Sequence, residues 1–350
     1  MTNERIPYID VAKGLLILIV ILHHLPYVAV KVGAEDSFYY ETFNYQFLYY
    51  TYFMPAFFLI TGYCSKQSRE FNLGNLVVKN LKTIILPAFT LGLLSSCIGL
   101  VGITYKQGIG VLPIEFAKAV YQNIVSIVKN GGNYWFLSAL FVSKIMYGIV
   151  NYCVICRGRG RKSLFFIYLI FVFLGYFCFS MGLTEHWAIW HAFMLCIFLF
   201  CGQLLREFGI SKKMSVGCIT LFVVVTFFYV VILNRLSLPK ITSTIVINSW
   251  REVPVFLILS FTGSVMIMTI SRLINENSYL QFWGRNSLIV YGIHWAILFK
   301  LYRIVLPYIG YNVMLSLLTY IGVFFATQLV VYIFIKMLNL PYVRYSIGKF

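Results

Sequence analysis

The sequence predicts an all-α integral membrane protein of about ten transmembrane helices, with both ends in the cytoplasm. Three observations predict it. Hydrophobic residues make up 60% of the 350 residues and charged residues only 11%, whereas a soluble domain is closer to a quarter charged. The apolar residues fall into runs of about 20, the length that crosses a hydrocarbon core as a helix. The basic residues, which give a net charge of +17, gather in the short gaps between runs. That is the pattern of cytoplasmic loops, not of a nucleic-acid surface, so no nucleic-acid partner is expected. With a mean hydropathy of +0.83, lipid must take the excess apolar surface. The runs are continuous and do not alternate, which excludes a membrane β-barrel.

The runs cover 11–30, 43–63, 81–101, 134–153, 164–183, 187–205, 215–234, 253–271, 286–305 and 313–338. The first opens on Arg5, Asp10 and Lys13 without a small-residue cleavage pattern, so it reads as a retained helix and not as a signal peptide. One set of alternate loops holds both termini and the gaps near 64–82, 154–163, 206–214 and 271–285. It carries roughly twice as many Lys and Arg as the other set, which places both ends inside. Arg157, Arg159, Arg161 and Lys162 crowd a single loop of that set. No repeat or linker divides residues 1–350, so a single multi-pass domain of the plasma or inner membrane is expected, with room for association between copies. The longest gap, 102–133, holds an apolar stripe of Ala117, Val120, Tyr121, Ile124 and Val128. It reads either as an interfacial amphipathic helix or as an ordered loop. Cys153 and Cys156 form a CxxC without two further ligands nearby, so no metal is expected.

Ionisable side chains inside a span cost several kcal/mol and default to functional candidates. The first span carries Asp10, Lys13 and then His23-His24-Leu25-Pro26. At about 100° per residue, Asp10, Lys13 and His24 share one face, and His23 points away from it. From Leu15 to His24 the helix rises about 14 Å, which sets His24 near mid-membrane. His24 reads as a general base or acyl carrier, since imidazole titrates close to neutrality, or as a histidine bonded between helices. In the ninth span Ser287, Tyr291 and His294 fall on one stripe behind Arg285. That stripe either faces the first across a buried cavity or is a structural polar seam. Lys79 and Lys82 precede Pro87 and read as phosphate-binding point charges or as ordinary positive-inside residues. Glu185, His186, Trp187, Trp190 and His191 read as a sugar-stacking cluster or as an aromatic belt.

Together these residues resemble a family. Asp10-x-x-Lys13-Gly14 followed by His24 is similar to the opening of membrane acyltransferase family 3, in the branch similar to fucose 4-O-acetylases. So are Phe53-Met54-Pro55-Ala56-Phe57-Phe58-Leu59-Ile60-Thr61-Gly62-Tyr63, Tyr134-Trp135-Phe136-Leu137, Phe200-Cys201-Gly202-Gln203-Leu204-Leu205 and Gly284 through His294, in that order along almost the whole chain. The resemblance implies ten core helices, acetyl-CoA as co-substrate from the cytoplasm, and O-acetylation of a glycan or lipid-linked acceptor. It maps the essential histidine onto His24 and its basic partner onto Lys13, where many members have Arg. The family's Arg-x-x-Arg falls on Lys79 and Lys82, and a frequent histidine of the second span falls on Phe53.

The expected mechanism is acyl transfer. Lys13, Lys79 and Lys82 take the anionic end of acetyl-CoA, and its pantetheine arm reaches up towards His24. Asp10 organises the mouth through Lys13, being about 21 Å of helix from His24. Trp135, Arg285, Ser287, Tyr291 and His294 line the acceptor side. The rival expectation is a transporter or flippase of a lipid-linked sugar, using the same cavity without a donor; a non-catalytic scaffold would leave the shared stripe unexplained.

Overall fold

The computed structural model describes residues 6–34, 37–44, 47–65, 71–129, 134–158, 160–209, 215–236, 250, 252–308 and 312–348. Its helices are α1 (Pro7–Val32), α2 (Ser37–Asn44), α3 (Phe47–Cys64), α4 (Leu73–Asn80), α5 (Leu86–Gln107), α6 (Leu112–Val128), α7 (Trp135–Cys156), α8 (Arg161–Ser180), α9 (Ile189–Glu207), α10 (Val216–Leu236), α11 (Glu252–Ile274), α12 (Ser278–Arg285), α13 (Ser287–Val305) and α14 (Val313–Leu338). A π-helical turn, Leu81–Ile85, joins α4 to α5. Among the described residues eight helices are long and apolar enough to cross a membrane, and the shorter apolar helices Thr51–Cys64 and Val216–Phe228 stand at the second and seventh expected spans. Over the described residues, each of the ten expected runs coincides for most of its length with helix.

The 102–133 stretch contains a helix, α6, and not a loop. Its packed residues are Ala119, Asn123 and Ile127, while Tyr121, Ile124 and Val128 are exposed. Outward apolar residues are what a membrane helix presents to lipid. Phe166, Ile170, Phe173 and Phe177 of α8 and Leu318, Phe325 and Leu329 of α14 are likewise exposed. α9 and α11 are the most enclosed spans, α8 and α14 among the least.

Close helix crossings depend on glycine. A Cβ on Gly62 of α3 would lie 1.9 Å from the Leu199 carbonyl oxygen of α9, and one on Gly202 of α9 would lie 1.9 Å from that of Leu59. The same reciprocal arrangement joins α1 to α12: Gly14 would meet the Leu280 oxygen at 2.0 Å and Gly284 the Asp10 oxygen at 1.8 Å. Small residues let backbones approach this closely. α12 was not foreseen. Asn277 caps its start by accepting from Leu280 N, and the chain turns at Asn286 into α13, so that Arg285 lies beside the first turn of α1.

Among the described residues, α1 and α3 carry interior prolines, Pro26 and Pro55. A proline has no N–H for the carbonyl four residues back, and lipid offers no donor in its place. Those carbonyls are Leu22 and Thr51. Tyr320 Oη of α14 donates to Leu22 O at 3.1 Å, and Ser260 Oγ of α11 donates to Thr51 O at 2.6 Å. Neighbouring helices thus satisfy what each proline leaves open. The two opened turns meet where His23 lies against Phe53, ring centroids 5.4 Å apart.

Candidate functional site

The face of the bundle on which α1 begins is the basal face. From it a vestibule of about 840 Å³ runs into the bundle. α1 contributes Asp10, Lys13 and Ile17 to its wall, so the lower part of the stripe read from the sequence faces a cavity, and His24 lies beyond the lining. The lower wall is polar: Asp10, Lys13, Arg206, Arg285, Thr83 and Ser287. Phe57, Phe136, Leu137, Leu140 and Tyr291 form an apolar wall. Asp10 Oδ2 pairs with Arg285 Nε at 3.3 Å. The expectation that Asp10 acts through Lys13 is therefore corrected: the turn at Asn286 brings Arg285 against it. Arg285 also accepts orientation from Gln281 Oε1, to which its Nη2 donates at 3.0 Å.

Arg206, at the end of α9, was missed. Its Nη1 donates to the carbonyls of Tyr63 and Ser65, both at 3.3 Å. These are orphan acceptors at the C-terminal end of α3, where a cation is also favoured by the helix dipole. The carbonyls hold the guanidinium at the vestibule wall. The motif ending at Leu205 stopped one residue short of it.

Lys79 and Lys82 do not line the vestibule. They flank a separate groove of about 330 Å³ with Asn75 and Val78; Thr83, in the π-helical turn, borders both spaces. Arg285 and Ser287, expected on an acceptor side, line the basal vestibule instead. Trp135 is outside it as well. Its ring rests on His191, centroids 5.2 Å apart, and His191 Nδ1 is bonded to Glu185 Oε1 at 2.5 Å. That oxygen also accepts from Trp190 N and His191 N, capping α9 after the left-handed residues Trp187 and Ala188. Within the cluster read as sugar-stacking or belt, Glu185 and His191 tie the start of α9 to the start of α7.

His24 lies about 10 Å of helix beyond Ile17. Its Nδ1 is 2.9 Å from Val20 O and 3.0 Å from His294 Nε2. His294 is buried, and its Nδ1 is 2.8 Å from Val290 O and 3.0 Å from Tyr291 O. The stripes of α1 and α13 thus meet at a pair of imidazoles. Tyr291 joins the pair to the vestibule: it lines the wall, and its ring centroid is 6.3 Å from that of His294. The other neighbours of the His24 ring are His23 at 4.8 Å and Trp295 at 5.0 Å between centroids. Trp295 in turn meets Tyr27 at 5.5 Å, and Lys31 Nζ sits over both rings at 5.6 and 5.7 Å. Tyr27, Lys31 and Trp295 carry no sequence pattern that marks them out.

A family model described as an acyltransferase domain matches residues 6–336. The chain belongs to membrane acyltransferase family 3. No curated protein and no solved structure matches it. The vestibule and imidazole pair of this acyltransferase are built from α1, α3, the π-helical turn, α7, α9, α12 and α13, all within the matched residues. Among the described residues of the acyltransferase, no three His, Cys, Asp or Glu side chains converge as metal ligands.

Proposed function

We propose that this membrane acyltransferase moves an acetyl group from acetyl-CoA to a hydroxyl of a glycan or lipid-linked acceptor, with His24 as general base. One observation carries the proposal: the His24–His294 pair stands just beyond a deep vestibule whose rim is cationic and whose upper wall is apolar. That gradient matches a donor with a polyanionic head and a thin arm ending in a thioester. Lys13 and Arg206 take phosphate oxygens, Arg206 as a planar fork and Lys13 as a point charge. Asp10 holds Arg285 in place and does not react. Lys79 and Lys82 extend the basic surface across Thr83 for the nucleotide end.

The vestibule opens on the face that the basic loops assign to the cytoplasm, where acetyl-CoA is found. In the transfer, an imidazole nitrogen of His24 takes the proton of the acceptor hydroxyl as its oxygen attacks the thioester carbonyl. The C–S bond breaks, and the thiolate leaves with the proton held by His24. Trp295 and Tyr27 offer ring faces to a sugar near His24. A transport role would need no acyl donor, and family membership favours the transferase reading.

Membranes containing the protein, incubated with labelled acetyl-CoA and analysed for labelled glycans and lipids, test the proposal. Label should appear in an alkali-labile ester and disappear in His24→Ala protein that still purifies as a folded, monodisperse species. Full transfer by that variant would sink the mechanism.

A further inference from the structure

The hydrogen bonds around the two imidazoles specify where their protons sit. A backbone carbonyl oxygen only accepts, so a ring nitrogen bonded to one must carry hydrogen. His294 Nδ1 lies within 3.0 Å of two carbonyls, Val290 O and Tyr291 O, so its hydrogen is on Nδ1. The neutral ring then presents a bare lone pair at Nε2. That lone pair is 3.0 Å from His24 Nδ1, and His24 Nδ1 is itself 2.9 Å from Val20 O. His24 therefore also carries its hydrogen on Nδ1, shared between Val20 O and His294 Nε2. Every contact selects the same pair of tautomers, and each leaves His24 Nε2 as the basic nitrogen.

Resting on the reading of His24 as the base, we propose that His294 is its positioning residue. It fixes His24 in the Nδ1–H form, with Nε2 towards the reacting groups, and it accepts the Nδ1–H bond more strongly while His24 is protonated. The step balances without any further reagent. Nε2 takes the hydroxyl proton, the hydroxyl oxygen forms the new C–O bond, the thioester C–S bond breaks, and Nε2–H returns its proton to the departing thiolate. Throughout, the Nδ1–H hydrogen stays on His24 and His294 Nε2 accepts it. A carboxylate does this in the common triads; here a neutral imidazole does it, anchored by its own helix. An uncharged partner is the cheaper choice at membrane depth, where a buried carboxylate is costly.

Two measurements on the full-length protein in detergent test the pairing. The first is ¹⁵N NMR of histidine-labelled protein, with His24 assigned by comparison with His24→Gln. Both rings should show the Nδ1–H neutral tautomer, the less common form of free histidine. An Nε2–H form of His24 would overturn the pairing whether or not acetyl transfer is detected. The second is kinetic. His294→Leu, which fills the volume without an acceptor, should lower kcat on the order of 100-fold and leave KM for acetyl-CoA within about twofold. His294→Gln, whose amide oxygen can accept the Nδ1–H bond, should recover at least about tenfold of that loss. A Leu variant with near-normal kcat, a loss confined to KM, or a Gln variant no better than Leu would each refute the role. If His294→Leu does not fold, the comparison of His294→Gln with the wild type and the tautomer spectrum still decide it. Wild-type protein that transfers no acetyl to any hydroxyl would remove the transferase reading, and the spectrum alone would then judge the pairing.

Discussion

Arg206 shows how one side chain serves fold and site together. Its Nη1 caps two carbonyls at the end of α3, and the same bonds hold its guanidinium at the vestibule wall. Replacing it with Gln removes the charge and keeps a donor for the carbonyls. Arg206→Gln should raise KM for acetyl-CoA on the order of tenfold, the equivalent of about 1.4 kcal/mol, with kcat little changed. Arg206→Lys should sit between the two. Charge reversal at Lys79 and Lys82 should have the smaller effect, because those residues flank the neighbouring groove. Steady-state kinetics on purified variants check the order; equal KM values for all of them would remove Arg206 from the donor site. Asp10 and His24 could be placed on one face from their spacing alone, since helical periodicity is local. The partner of Asp10 could not, because Arg285 arrives from 275 residues away in the chain.

At the scale of elements, the prolines explain why polar residues are placed inside apolar helices. Pro26 frees the Leu22 carbonyl and Tyr320 supplies its donor; Pro55 frees Thr51 and Ser260 supplies its donor. Removing either hydroxyl leaves an acceptor in an apolar setting, so Tyr320→Phe and Ser260→Ala should each cost about 1 kcal/mol of stability. Pro26→Ala restores an N–H to the Leu22 carbonyl, so Tyr320→Phe should cost much less in that background. Thermal unfolding of the four proteins in detergent forms the double-mutant cycle, and strict additivity would disprove the coupling. The proline-opened turn of α1 also holds His24, two residues before Pro26. Asn123 of α6 has the same logic on a smaller scale: it donates to Ser96 Oγ at 3.1 Å, inside the packed face of a helix whose apolar stripe is turned outwards.

The whole molecule is a bundle with a chemical gradient from one face to its middle. Lys13, Arg206 and Arg285 lie at the basal rim, and the imidazole pair lies beyond the apolar wall. On the basal face Arg161 of α8 also pairs with Glu207 of α9 at 2.9 Å. On the opposite face Glu185, His191 and Trp135 lock together the ends of α7 and α9. Orientation then decides which compartment supplies the donor. Reporter fusions should read cytoplasmic after Gly158, in the loop before Arg161, and external after Gly182, between α8 and α9. The reverse pattern would turn the basal vestibule away from cytoplasmic acetyl-CoA and overturn the proposed donor route.

The sequence by itself determined the class of molecule, the ten apolar helices and the two polar stripes. Each of those rests on local information: run length, composition and a period near 3.6 residues. Only the tertiary structure decided which stripes meet and which cations face the cavity. α12 is eight residues long and too polar to signal itself, yet its glycine crossing with α1 delivers Arg285 to Asp10. The contact of His24 with His294 spans 270 positions, and no period along one chain segment encodes a distance across two helices. Lys79 and Lys82 have the spacing of a phosphate site but flank a groove beside the vestibule, Lys79 at the end of α4 and Lys82 within the π-helical turn that joins α4 to α5. Spacing states which side chains share a face; packing states what that face touches.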